Sequence, residues 1–202
     1  PDQVILAAAR VGGIEANDNN KHLFLYDNLL IQNNVIFESH LHEIENLIFL
    51  GSSCVYPNNY VEPIKEDDLM KGPLEETNEG YALAKILSLK YSQHLKKRYK
   101  KEFISLMPAN LYGRGDNFDL KSSHVLPALV KKFIIAKTNN IPQVEVWGSG
   151  KVKREFLNVE DLSSAIYFLI KKKIKQDFIN IGGGEHYSIA SIANLIKKMI
   201  NY

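Results

Sequence analysis

Short apolar runs alternate with longer segments of helical period along almost the whole chain, and this alternation constrains the fold more than any other feature. Val4-Ile5-Leu6-Ala7-Ala8-Ala9, Leu47-Ile48-Phe49-Leu50, Phe103-Ile104-Ser105-Leu106-Met107 and Phe178-Ile179-Asn180-Ile181 read as strands. Runs with so little polar alternation suit strands buried on both faces, as in a parallel sheet covered by helices. Between them, apolar residues recur at helical spacing over residues 23–37, 81–100, 124–138, 159–170 and 188–200. Val144-Glu145-Val146-Trp147 alternates at period two and reads as a further strand before the turn Gly148-Ser149-Gly150. Residues 12–20 read as an Asn/Asp-rich loop after Gly12 and Gly13. Residues 57–80, acidic and carrying Pro57, Pro63 and Pro73, read as irregular structure. The expected fold class is α/β with a largely parallel sheet.

A chain of 202 residues holds one sizeable domain, or one domain and part of a second. Its 45% hydrophobic and 24% charged residues exclude an intrinsically disordered or collagen-like chain. Cys54 is the single cysteine, so the sequence offers neither an internal disulfide nor the cysteine pairs of structural zinc, and a reducing compartment is expected. A formal net charge of +2 gives no nucleic-acid footprint. The basic runs at residues 96–101 and 171–173 end helices, where cations are favoured by the helix dipole. No run approaches the roughly 18 apolar residues of a membrane span, and the first 30 residues lack a signal-peptide pattern. A cytoplasmic protein without membrane or nucleic-acid partners is expected. Pro1-Asp2-Gln3 leads straight into a strand-like run without an initiator Met, so the chain is expected to begin inside a fold.

Tyr81-Ala82-Leu83-Ala84-Lys85 places a phenol and an ammonium one helical turn apart. A nearby cation favours phenolate, which would make Tyr81 a proton donor closer to neutral pH than an ordinary tyrosine. The spacing by itself is weak, since Tyr167 and Lys171 repeat it without chemical context. Ser52-Ser53-Cys54 strengthens it by closing a predicted strand, where open α/β sheets gather ligand groups. Ser52 could polarise a carbonyl while Tyr81 delivers a proton; equally, Ser52 could be a capping hydroxyl and Cys54 a small buried apolar group. His124 opens a predicted helix, as a surface residue or as a positioned acid or base. None of the histidines forms the H-E-x-x-H pattern of a metal site, and no metal is expected. Gly182-Gly183-Gly184 fails as a phosphate loop because Tyr187 stands at the last glycine position, so it reads as a tight strand-to-helix turn.

Several segments together resemble one family. They are Gly51-Ser52-Ser53-Cys54-Val55-Tyr56-Pro57, Tyr81-Ala82-Leu83-Ala84-Lys85, Met107-Pro108-Ala109-Asn110-Leu111-Tyr112-Gly113, Ser123-His124-Val125-Leu126-Pro127-Ala128, and Val146-Trp147-Gly148-Ser149-Gly150 with Arg154-Glu155-Phe156. The sequence is similar in this order to the GDP-L-fucose synthase family of extended short-chain dehydrogenase/reductases. The Ser-Tyr-Lys set marks the superfamily, and the Ser-Ser-Cys segment with the downstream histidine marks the narrower family.

The resemblance implies a Rossmann-like doubly wound sheet lacking its first strands, with a smaller, incomplete sugar-nucleotide-binding domain. Residues 1–115, with 150–182 returning, would form the NADP-binding part, and residues 116–149 and 183–202 the substrate-binding part. The implied reaction is epimerisation at C3 and C5 of GDP-4-keto-6-deoxy-D-mannose, then NADPH reduction at C4. By the family pattern Cys54 and His124 are base and acid, Tyr81 protonates the C4 oxygen, Ser52 polarises it, and Lys85 binds the nicotinamide ribose. Cys54 would then need a pKa below the ordinary thiol value. Leu50, Gly51, Ser52, Ser53, Tyr81, Lys85, Pro108, Ala109, Asn110, Leu111 and His124 would line NADP(H), and Lys132, Trp147 and Arg154 would hold the GDP-sugar. Lys132 stands where the family usually has arginine, losing the planar fork. The family's Gly-rich dinucleotide loop would precede Pro1. A homodimer through residues 23–40 and 81–100 is expected. The alternatives are another NAD(P)-dependent sugar-nucleotide epimerase or dehydratase, or an inactive remnant that binds a nucleotide sugar.

Overall fold

The computed structural model describes residues 1–59, 63–172 and 174–202. Four strands, β1 (Gln3–Leu6), β2 (Asn46–Leu50), β3 (Glu102–Pro108) and β6 (Phe178–Ile181), form a sheet in the order β1-β2-β3-β6 with every pairing parallel. Successive side chains of a strand point to opposite faces, so an unbroken apolar run serves two cores. Leu47 and Phe49 of β2, with Phe103 and Met107 of β3, meet Ile36 of α2 (Lys21–Leu41) and Ile86, Leu89 and Leu95 of α3 (Glu79–Tyr99). Ile48, Ile104 and Leu106 face the other way, against Ile166 and Leu169 of α5 (Val159–Ile170). Phe49 and Phe103 are at most 1% exposed, and burying each contributes roughly 1.5–3 kcal/mol. The α/β class with a parallel, helix-covered, Rossmann-like sheet is therefore the observed one.

The two long helices that carry this layer differ in how they end. α3 places Lys96, Lys97 and Arg98 in its last turn and stops at Lys100, whose φ of 61° is left-handed. α2 meets α3 partly through polar groups, since Ser88 Oγ donates to Gln32 Oε1 at 2.7 Å between two fully buried side chains. That bond satisfies two groups that would otherwise be costly to bury.

A second, three-stranded sheet joins β4 (Asn110–Tyr112), β5 (Lys153–Asn158) and β7 (His186–Ser188), with β4 parallel and β7 antiparallel to β5. It adjoins a separate apolar cluster in which Leu129 and Phe133 of α4 (Val125–Thr138) pack against Ile192, Ala193 and Ile196 of α6 (Ile189–Met199).

Three local expectations change, and three short strands were not foreseen. Residues 12–20 hold a short helix, α1 (Ile14–Asn19), rather than a loop only. Its Asn17 is buried and donates to the carbonyls of Gly12 and Gly13, a local bond through which an Asn-rich segment satisfies its own backbone. Residues 144–147 form no strand. Val144 and Val146 do pack together on the α4/α6 cluster, so the period-two burial is real and what is missing is a neighbouring strand to pair with. The short β4, β5 and β7 carry too many polar residues to stand out as apolar runs. Gly182-Gly183-Gly184 leads into β7 rather than directly into a helix. Residues 57–80 are irregular as expected over their described part, with 3-10 turns at Glu66–Asp68 and Glu76–Asn78; residues 60–62, and Lys173 of the second basic run, lie outside the described residues. No helix of the described residues is long and apolar enough to cross a membrane.

Candidate active site

The carboxyl end of β2 and the first turns of α3 bring four of the sequence-identified side chains together. Gly51 leaves the sheet beside β3, donating its N–H to the Leu106 carbonyl at 2.8 Å. The end of the Met107 side chain occupies the space a Cβ on Gly51 would need, so a larger residue there would have to displace it. Ser52 then starts the 3-10 turn Ser53–Val55 by accepting the Cys54 N–H at 3.4 Å. This capping role was one of the two readings of Ser52, and it leaves the hydroxyl's own proton free to be donated.

On α3, Lys85 is 2% exposed and donates to the Leu50 carbonyl at 2.7 Å. Its Nζ lies 4.8 Å from the Phe49 ring centroid and 5.5 Å from that of Tyr81. An ammonium has three donors, so capacity remains for hydroxyl groups of a bound molecule. Burial lowers the Lys85 pKa to about 8, opposed by the charge of Cys54.

Two electrostatic expectations are corrected. Burial pushes the Cys54 thiol up to about 11, although the Ser52 hydroxyl and the Lys85 charge pull it the other way. Tyr81 is also raised, by burial and then by Cys54. Burial of the phenol is the larger effect, and the Lys85 ammonium donates to the Leu50 carbonyl rather than to the phenol oxygen. A raised thiol pKa means thiolate is scarce at neutral pH and grows until the pH passes about 11. Alkylation of Cys54 by iodoacetamide at pH 7.4 should thus run roughly two orders of magnitude below that of an ordinary thiol and climb through pH 10. A rate that levels off below pH 9 would contradict this environment.

The remaining sites come from other elements. His124 is the exposed N-cap of α4 and makes no side-chain capping bond. Pro108, Ala109, Asn110 and Leu111 cross from β3 into β4; the Ala109 N–H is bound to Ile181 and the Asn110 amide to the Glu155 carbonyl. Lys132 and Trp147 are brought together, with Nζ 4.7 Å from the indole centroid while donating to the Glu145 carbonyl at 3.2 Å. Arg154 is exposed on β5 and donates to the Lys153 carbonyl. Among the described residues no group of three or more His, Cys, Asp or Glu side chains could hold a metal ion.

Sequence reading passed over a support of the Cys54 turn. Tyr56 is buried and donates to Asn180 Oδ1 at 2.5 Å, while Glu66 accepts the Asn180 N–H at 2.8 Å. These bonds tie the turn and part of the irregular segment to β6. The available signal was Asn180 itself, a polar residue inside an otherwise apolar strand run.

Residues 1–182 match the model of the NAD dependent epimerase/dehydratase family. The chain belongs to this family. Among family relatives, it is 48% identical over 202 residues to a GDP-L-fucose synthase of Sinorhizobium fredii, covering all of this chain and 64% of the relative. It is 47% identical to a putative GDP-L-fucose synthase 2 of Arabidopsis thaliana, again over the whole chain and 62% of the relative. The chain thus spans less than two thirds of the length of these curated relatives. A solved GDP-mannoheptose C4 reductase from Campylobacter jejuni with NADP bound superposes with a TM-score of 0.89 at 35% identity, over all of this chain and 70% of that one.

Proposed function

We propose that the complete protein is a GDP-sugar epimerase/reductase that inverts C3 and C5 of GDP-4-keto-6-deoxy-D-mannose and reduces C4 with NADPH, giving GDP-L-fucose. The observation that carries this reading is the convergence of Ser52, Cys54, Tyr81 and Lys85 at the end of β2 and the start of α3. Similarity to proteins named GDP-L-fucose synthase and to an NADP-bound GDP-sugar reductase supports it.

Each side chain has a task its setting suits. Inverting a carbon needs a proton removed from one face and another returned to the opposite face. The neighbouring C4 ketone makes both steps accessible by holding the electron pair as an enolate. Cys54 is the base and His124 the acid, and the raised thiol pKa makes Cys54 a strong base once ionised. Ser52 and Tyr81 donate to the C4 oxygen, stabilising the enolate first and completing the alcohol later. The spare donors of buried Lys85 suit the ribose diol of the nicotinamide, and bound NADPH supplies the hydride to C4. Leu50, Gly51, Ser53 and Pro108 to Leu111 line the cofactor. Residues 1–115 and 150–182 serve NADP(H), and residues 116–149 and 183–202 serve the sugar nucleotide; the Lys132–Trp147 pair holds the GDP-sugar together with Arg154, a residue of the NADP(H) part.

The enzyme works in the cytoplasm as a homodimer formed through the outer faces of α2 and α3. Support for that interface is an open groove lined by Leu29, Phe37, Leu87 and Tyr91 together with Asn33 and Asn34, with Phe37 and Leu87 about half exposed. A monomeric mass by light scattering at micromolar concentration would remove the dimer.

One observation favours a sister reading, C4 reduction without inversion: the resting thiol is mostly protonated at neutral pH. The test uses the chain extended to the length of its relatives, with NADPH and GDP-4-keto-6-deoxy-D-mannose. Chromatography should return GDP-L-fucose as the product. A GDP-6-deoxyhexose of uninverted C3 and C5 would move the assignment to the sister reductase.

A further inference from the structure

We propose that residues 12–21, running from the loop after β1 to the first residue of α2, form a positioning wedge that sets the spacing of His124 on one side and Tyr81 on the other. The inference rests on the roles given above to those two residues and names what holds them in place.

On the His124 side, the Gly13 N–H donates to the Ser122 carbonyl at 2.9 Å, two residues before His124. A Cβ on Gly13 would lie 2.5 Å from the Ser123 carbonyl oxygen, closer than packed carbon and oxygen atoms approach. Gly13 has φ −68° and ψ −179°, a backbone any residue adopts. Close approach is therefore the reason for glycine there. On the Tyr81 side, Gly80 immediately precedes the phenol, and a Cβ there would collide with the Lys21 carbonyl at the start of α2. The wedge thus touches both catalytic segments through backbone, at two points where a single methyl group is excluded.

Its interior is stiff. Asn17 is 6% exposed, and its amide donates to the Gly12 carbonyl at 2.8 Å and the Gly13 carbonyl at 3.1 Å. The turn leading to His124 is stiff as well. Asp119 Oδ1 accepts the Lys121 and Ser122 N–H groups, each at 3.0 Å, and the Asp119 carbonyl accepts the Ser123 N–H at 2.9 Å. A displacement imposed at Gly13 therefore carries the whole turn, and His124 with it, instead of being absorbed by a loose loop.

The experiment uses the chain extended to the length of its relatives and measures two rates separately. One is deuterium wash-in from D2O into the keto sugar without NADPH; the other is NADPH oxidation with the already epimerised ketone. Gly13→Ala should slow wash-in roughly 10- to 100-fold and leave NADPH oxidation within about twofold, because an ångström of misplacement penalises the proton step and not the hydride step. Gly80→Ala should slow NADPH oxidation more than wash-in. In a His124→Ala background, Gly13→Ala should add nothing, since a positioning residue has no effect once its target is gone. Equal loss of both rates in Gly13→Ala, no loss in either, or a full additional loss in the His124→Ala background would each overturn the proposal. Should circular dichroism show Gly13→Ala unfolded, Asn17→Ala is read by the same split, and equal loss of both rates there overturns it too. A wild-type protein that reduces the ketone but washes in no deuterium would instead strike at the role of His124, and the wedge would fall with it.

Discussion

Replacing Cys54 by serine should slow deuterium wash-in by about 10² to 10⁴, the usual worth of a positioned acid or base, while reduction of the epimerised ketone stays within about twofold. A serine hydroxyl at this position ionises too rarely to abstract a proton. The substitution is otherwise mild, since serine is close in size to cysteine and the turn is held by the Ser52 cap and the Tyr56–Asn180 bond. Losing both rates together would contradict the division of labour between Cys54 and Tyr81. The surviving dependence on pH is informative as well. Wash-in by the wild-type protein should rise from pH 7 toward about 11 as Cys54 ionises, and Cys54→Ser should flatten that rise.

The converse result is expected for Tyr81→Phe. NADPH oxidation should fall by about 10² to 10⁴ because no donor completes the alcohol as hydride arrives, while wash-in falls less, because Cys54, His124 and the Ser52 donor to the enolate oxygen remain. NADPH affinity should change little. Lys85 is anchored by the Leu50 carbonyl at 2.7 Å rather than by the phenol, so a phenylalanine ring leaves the ammonium where it is. A large loss of NADPH affinity, read by fluorescence titration, would mean that Tyr81 and not Leu50 fixes Lys85.

The parallel sheet was legible because Leu47-Ile48-Phe49-Leu50 and Phe103-Ile104-Ser105-Leu106-Met107 carry an unbroken apolar run, and burial on both faces is the physical state that demands one. The short strands were not, because Lys153-Arg154-Glu155 pairs in a sheet whose hydrogen bonds, rather than side-chain burial, define it. Val144 and Val146 show the reverse case, in which periodic burial exists without a partner strand. Asn17 reads as a loop former from composition, and only its bonds to Gly12 and Gly13 reveal that it organises a helical turn.

At the site, Tyr81 and Lys85 were legible from helical spacing, and Ser52 and Cys54 from the polar end of an apolar strand. Their protonation was not, because it depends on desolvation and on where Lys85 points. A sequence places Lys85 one turn from Tyr81, whereas the fold turns its ammonium to the Leu50 carbonyl. Gly13 and Gly80 were equally silent, since a close approach between segments 110 and 59 positions apart leaves no local pattern.

The central claim is that one ketone serves both proton exchange and reduction. It is tested most directly by mass spectrometry of GDP-4-keto-6-deoxy-D-mannose in D2O, with the chain extended to the length of its relatives, first without NADPH and then with it. Two deuterons gained before any reduction, followed by NADPH-dependent conversion of the doubly labelled sugar, is the predicted result. Reduction with no deuterium gained, from folded protein that binds NADPH, would contradict it and leave a plain C4 reductase.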